Sequence, residues 1–317
     1  MAKHKPGAPV TLHEANGEEP TPRFLSVKQV AEYLQINDKK VYALASEGRI
    51  PGTKITGKWL FPRDLIDQWM LESSHGGVLT DRLVVAGSDD PLLNRVIGLL
   101  AEETDAHALV SYTPTGTRLG LSLLAANRCD VAAIHWGPSE ESHLRHPALI
   151  RQFPEHPQWV LVRAFLREQG LMVSPKLADK DLNVKSLLAS GHRWALRQSG
   201  AGSQRFLDEA LARHDAEVSQ LHAVTTARSE REAAAAIVMG EADVAPGCHA
   251  AATEAGLEFV STGWEAFDLV LYRSIFFRTL FQKLLDHLKA LDTQAVAIKL
   301  DGYEFEDLGK LVWSAQS

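Results

Sequence analysis

Apolar residues first fall into a helical rhythm at residues 27–34. Val27, Val30, Ala31 and Leu34 share one face behind Ser26, which stands in capping-box spacing to Gln29. The turn Gln35-Ile36-Asn37 follows, then Asp38 as a second N-cap and Lys39-Lys40-Val41-Tyr42-Ala43-Leu44-Ala45 as a second short helix. Gly48 signals its end, and Pro51 prevents it from resuming. Two β-prone runs, 53–55 and 59–61, joined by Thr56-Gly57-Lys58, predict a hairpin. Pro62 opens a third helix over 63–71, with Leu65, Ile66 and Trp69 inward. Beyond residue 81 apolar runs, polar turns and helices alternate. Residues 82–87 lead to a helix over 92–103, 108–112 to a helix over 119–126 and a strand at 131–134, and 193–197 to a helix over 204–213; a helix over 231–239 precedes a strand at 242–245. Such alternation predicts parallel sheets covered by helices. Residues 159–173 read as strand, turn, strand, a crossing between two lobes, and 267–272 as the return strand. A chain that leaves one lobe, builds a second and returns makes a hinged cleft.

Charge divides along the same boundary. The 317 residues carry a net charge of −7, but residues 23–73 hold 8 basic and 6 acidic groups, and residues 74–317 hold 23 basic and 31 acidic. A weakly positive module attached to an acidic body disfavours nucleic acid everywhere except at the module. Residues 1–22, rich in Pro, Gly, Glu and Lys, predict a disordered tail, and residues 74–80 a linker. No stretch approaches the ~18 apolar residues of a membrane span, and the start has no apolar h-region, so a cytoplasmic protein is expected. Cys129 and Cys248, far apart and in apolar settings, are expected to be buried reduced thiols.

Two short helices around a three-residue turn form a helix-turn-helix pattern, and the hairpin would be its wing. The strings at 25–34, Glu47-Gly48-Arg49-Ile50-Pro51 and Trp59-Leu60-Phe61-Pro62-Arg63-Asp64-Leu65 resemble the excisionase and MerR-like winged helix family over residues 23–73. The resemblance implies duplex DNA as a partner. Lys39, Lys40 and Tyr42 lie early in the second helix, where recognition helices meet bases and phosphates, and Arg49, Lys54, Lys58 and Arg63 flank or occupy the wing. Each lysine alone could equally be a solvated surface charge. Trp59 alternates into the hairpin and reads as core rather than as a stacking platform. So few basic groups predict that useful affinity needs two copies, hence a homodimer.

The body, residues 81–317, resembles the type 2 periplasmic-binding-protein fold, in particular the molybdate-binding-like domain fused to helix-turn-helix regulators. The matching pieces are Ala86-Gly87-Ser88-Asp89-Asp90-Pro91, residues 127–135, Leu196-Arg197-Gln198 with Gly200-Ala201-Gly202-Ser203, Gly240-Glu241-Ala242-Asp243-Val244-Ala245, residues 256–260 and 265–269, and Leu300-Asp301-Gly302-Tyr303. The fold expected is therefore α/β, an N-terminal winged helix-turn-helix plus a two-lobed type 2 periplasmic-binding-protein-like domain. One lobe would take about 81–165 and 265–317, the other about 166–264.

The resemblance implies a cleft for a small oxyanion, with molybdate or tungstate leading and no cofactor. Ser88, Thr115, Thr117, Ser199 and Ser203 stand before helices, whose free N–H groups and dipoles attract anions; Gly202 lets the backbone approach, and Arg197 and Arg205 add charge. As single residues the hydroxyls are ordinary N-caps. Arg197 is either a bidentate contact or an exposed strand end. The family's usual Gly-Ser-Gly-Thr followed by Arg is here Gly200-Ala201-Gly202-Ser203, then Gln204-Arg205, which turns the basic side chain by about 100° if the helix holds. A sulfonate or carboxylate therefore stays open as ligand, as does a body that only dimerises. His135 and His249 end apolar runs and read as hydrogen-bonded structural histidines; His143, His146 and His156, in a segment read as loop, fit no metal motif. Asp89-Asp90 read as caps rather than paired acids. No GxSxG, HExxH or GxxxxGK[ST] string occurs, so no enzyme is expected.

Overall fold

The structure, a computed structural model, describes residues 23–74, 82–178, 182–189 and 191–315. The expected tail at 1–22 and nearly all of the expected linker at 74–80 lie outside these residues. The chain divides into two compact units, Met1–Leu79 and Thr80–Ser317.

The first unit is built from β1 (Phe24–Leu25), α1 (Val27–Tyr33), α2 (Asp38–Ser46), β2 (Thr53–Ile55), β3 (Lys58–Pro62) and α3 (Arg63–Ser74). Ser26 and Gln29 close the predicted capping box. Asn37, not Asp38, caps α2: its side chain accepts from the Lys40 N–H at 2.8 Å, and Asp38 becomes the first helical residue. The wing is a two-residue hairpin. Thr56 and Gly57 both have positive φ (47° and 83°), the combination whose twist suits a tight hairpin. Leu25, Val30, Val41, Leu44, Phe61 and Ile66 form the core, and Trp59 packs against it with its ring stacked on Phe61 at 6.2 Å.

In the second unit β4 (Arg82–Gly87), α4 (Pro91–Thr104), β5 (Leu109–Pro114), α5 (Thr117–Ala125), β6 (Val131–Ile134) and α6 (Ser142–Ile150) make the first lobe. The crossing strand β7 (Trp159–Val173) leads to α7 (Val184–Ala189), β8 (Arg193–Arg197), α8 (Gly202–Ala212), β9 (His222–Ala227), α9 (Glu230–Val238), β10 (Val244–Cys248) and α10 (His249–Glu254) of the second. The return strand β11 (Glu258–Tyr272) leads to α11 (Arg273–Phe276), α12 (Thr279–Lys289), α13 (Leu291–Leu300), β12 (Tyr303–Glu304) and β13 (Leu311–Ser314). All strands belong to one sheet of order β5-β4-β6-β11-β7-β10-β8-β9, with β12 and β13 also on β7. The pairs β4–β5, β4–β6, β8–β9 and β8–β10 are parallel, as the alternating pattern requires, while β7 and β11 run antiparallel through both lobes. Apolar clusters cover both faces of each parallel part, which explains the continuous apolar runs of β4, β6 and β10.

Two further expectations change. Residues 159–173 are one continuous strand, not strand-turn-strand; the polar run Arg167-Glu168-Gln169-Gly170 suggests a turn, yet β11 pairs through all of it and β10 along Gln169-Gly170. His143 and His146 sit on α6, not in a loop, despite Pro147 inside that helix.

Candidate functional site

On the first unit, Lys39, Lys40, Tyr42, Arg49, Lys54 and Lys58 are all exposed. Val41, Leu44 and Ala45 turn inward, so α2 is left with its lysines and Tyr42 outward. Lys54 and Lys58 occupy both strands of the wing. Arg49 pairs with exposed Glu47 at 3.2 Å. Arg63 differs from the rest: it is half-buried, lies 5.2 Å over the Tyr33 ring and reaches Asp67 at 4.0 Å.

In the second unit the ends of β4, β6 and β8, the middles of β7 and β11, and the N-termini of α4, α5, α8 and α9 converge where the lobes meet. The lobes touch at two carbonyls: the Arg118 N–H donates to the Gly200 carbonyl at 3.2 Å, and the side-chain Nε2 of Gln198 donates to the Thr115 carbonyl at 3.2 Å. Arg145 of α6 reaches Glu209 of α8 at 2.5 Å. A Cβ at Gly202 would stand 2.3 Å from the His135 carbonyl oxygen, so only glycine allows this approach.

Arg167 lies at the centre, fully buried. It donates to Glu265 at 2.7 Å, to the Asp89 carbonyl at 2.7 Å, and to Asp90 and Glu230 at 3.1 Å each. Gln169, on the same face two residues on, donates to Glu230 and Glu265 at 3.1 Å each. His135 Nδ1 pairs with Glu265 at 2.5 Å, and Tyr303 donates to Asp90 at 3.0 Å. Burial alone would raise the Glu230 carboxyl, but Arg167, His135 and Arg197 outweigh it and hold it at about 2. Burial does prevail at Asp90, pushing its carboxyl up despite Arg167.

The predicted ligand residues fall into three groups. Ser88 Oγ and Thr117 Oγ1 are 2.9 Å apart, Thr117 also donates to the His135 carbonyl at 3.0 Å, and Gly202 presses on the same histidine; all are buried and satisfied. Arg197, Ser203 and Thr115 carry buried polar atoms without partners: Arg197 Nε and Nη1, Ser203 Oγ and Thr115 Oγ1. Arg197 is 4% exposed and Ser203 0%. Burial lowers the Arg197 pKa, against the pull of Glu230, Asp89 and Glu232. The N-terminus of α8, to which Ser203 belongs, has no side-chain cap, and neither has that of α5. Ser199 and Arg205 line an open groove of about 860 Å³ at the lobe seam, together with Arg118, Trp136 and Arg197. Arg205 pairs there with Glu209 at 2.7 Å.

Residues 99–289 match the family model of the PBP superfamily domain. The chain belongs to the PBP superfamily. Residues 24–74 match the helix-turn-helix domain, and this pairing is that of a ligand-responsive DNA-binding regulator. The uncharacterized protein YvgK of Bacillus subtilis (strain 168) is 25% identical over 308 residues, covering 90% of this chain and 97% of its own. Among solved structures, PhnD1 of Prochlorococcus marinus (MIT 9301) in complex with methylphosphonate is 13% identical with a TM-score of 0.47, covering 72% of this chain and 94% of that one. OxyR of Corynebacterium glutamicum is 16% identical with a TM-score of 0.47, covering 87% and 89%.

Arg167, Gln169, Glu230 and Glu265 form a buried network that sequence reading missed. For Arg167 and Glu265 the available signal was a charged residue inside a strand with apolar neighbours; Glu230, in the first turn of α9, gave no such signal. His135 and His249 are the hydrogen-bonded histidines expected, the latter on Glu168 at 2.7 Å. Asp90 caps α4 by accepting from the Leu93 N–H, whereas Asp89 accepts from the Arg231 N–H of α9 in the other lobe.

Proposed function

We propose that this PBP domain senses a small anion in its inter-lobe cleft and that the ligand resets the affinity of the N-terminal module for duplex DNA. The observation that carries this reading is the set of buried donors without partners, Arg197 Nε and Nη1 and Ser203 Oγ, beside the uncapped N-terminus of α8. Leaving such groups unpaired is costly, and an anion would satisfy them all. Molybdate and tungstate are the first probes, with sulfonates and carboxylates beside them. Lys39, Lys40, Tyr42, Arg49, Lys54 and Lys58 are the DNA-facing set, with Arg63 held back by Tyr33 and Asp67. A homodimer in the cytoplasm would supply two such modules. Ligand acts by preferring the closed arrangement of the lobes.

The test uses the full chain and a duplex selected from a random pool. Anisotropy titrations are run with and without each anion, and tryptophan emission is followed in parallel because Trp136 lies at the seam. Ser203→Ala should weaken the ligand response and leave ligand-free DNA binding intact. Equal DNA affinity with and without every anion would remove the switching role.

A further inference from the structure

Buried acceptors without partners lie at the lobe junction as well as donors. Asp89 is 2% exposed, and its Oδ2 accepts from the Arg231 N–H at 3.1 Å, but its Oδ1 has no partner. Gln198 Oε1 is likewise unpaired. Asp89 and Arg197 are anchored on the first turn of α9 and the residues just before it: Arg197 Nη2 donates to the Arg228 carbonyl at 3.1 Å, three residues before the Arg231 N–H that holds Asp89. The Arg197 N–H donates to the side chain of Gln204, the residue after Ser203, at 2.9 Å. A guanidinium edge, a hydroxyl and a carboxylate oxygen, all buried and all unpaired, thus belong to segments tied together at the starts of α8 and α9.

A bare oxyanion offers acceptors only. It would satisfy Arg197 and Ser203 and leave Asp89 Oδ1 facing negative charge.

We infer that the ligand is a small zwitterion, whose acid group meets Arg197 and Ser203 and whose ammonium group meets Asp89. This rests on the anion-sensing reading above and narrows it. It assigns Asp89, not the other acids, as the residue that selects for the amine.

The experiment measures thermal shift and calorimetric affinity of the full chain. The probes are the proteinogenic amino acids, taurine and 2-aminoethylphosphonate, each against its des-amino counterpart, together with molybdate, tungstate and phosphate. At least one zwitterion should bind, and its des-amino counterpart should bind about tenfold more weakly or worse. Asp89→Asn should reduce zwitterion affinity by a similar factor and leave the des-amino acid unchanged. Arg197→Lys should weaken both. The wild-type comparison stands even if the variants fail to fold. An oxyanion or a des-amino acid binding as tightly as every zwitterion overturns the inference and leaves the anion-sensing reading standing. No response to any probe overturns both.

Discussion

The two units handle charge in opposite ways. On the winged module the basic residues other than Arg63 are exposed, and none of Lys39, Lys40, Lys54 and Lys58 has an ion-pair partner among the described residues. In the PBP domain the decisive charges are buried and bonded to one another around Arg167. An exposed charge costs little to hold and is screened by salt, so it suits a partner as large and as charged as DNA. A buried charge is costly unless every lone pair is met, so the few atoms left unpaired mark where something else must bind.

Removing the hub should give the largest effect. Arg167→Ala would leave Glu265, Glu230 and Asp90 without their shared counter-ion and should destabilise the PBP domain by about 3–5 kcal/mol. Calorimetry would register this as a lowered transition of the body, with that of the module unmoved. A single unchanged transition would mean that the network does not hold the lobes.

Acid should break the comparison next. The carboxyl of Glu230 sits at about 2 against an ordinary 4.5, a folded value lowered by Arg167 after burial is overcome. Its stabilisation is therefore complete above the ordinary value and is lost as pH falls through the folded one. Denaturant titrations between pH 5 and 2 should show the body weakening, with a shallower fall in Glu230→Gln. Equal slopes in the two proteins would remove Glu230 from the account.

Gly202→Ala ranks third. Its Cβ must displace the His135 carbonyl, an overpacking cost of about 1–3 kcal/mol, and small-angle scattering should report a more open body. An unchanged profile with full ligand response would show that the contact is incidental. Lys40→Ala is the mildest: folding stability should stay unchanged, and the salt dependence of DNA binding should fall by about 0.9 in slope if one phosphate contact is lost. An unaltered slope would take Lys40 off the backbone.

The module was legible because its signals are local. Ser26 reaches Gln29 three residues away, Gly48 ends its own helix, and Thr56-Gly57 make their own turn. The Asn37 cap was misplaced by one residue because Asn37 and Asp38 are both good caps. The alternating α/β rhythm of the body was legible for the same reason, since each strand and helix carries its own pattern. The Arg167 network was not. Its partners come from residues 90, 230 and 265, brought together by a sheet whose pairings span most of the body. Locally, Arg167-Glu168-Gln169-Gly170 looks like a turn; only the pairing of β7 with its neighbours shows that Arg167 and Gln169 share one face of a strand and Glu168 the other.

That pairing has a mechanical side. β7 and β11 face each other from Trp159–Tyr272 to Val173–Glu258, with irregularities at Ser261/Gly263 and Phe267/Asp268. A ribbon of two long antiparallel strands cannot slip by one residue without turning every side chain to its other face, which would tear Arg167 from Glu265. Where the register shifts, the ribbon bends and twists more strongly. The lobes are thus coupled like plates on a bent strap, forbidden to slide past each other.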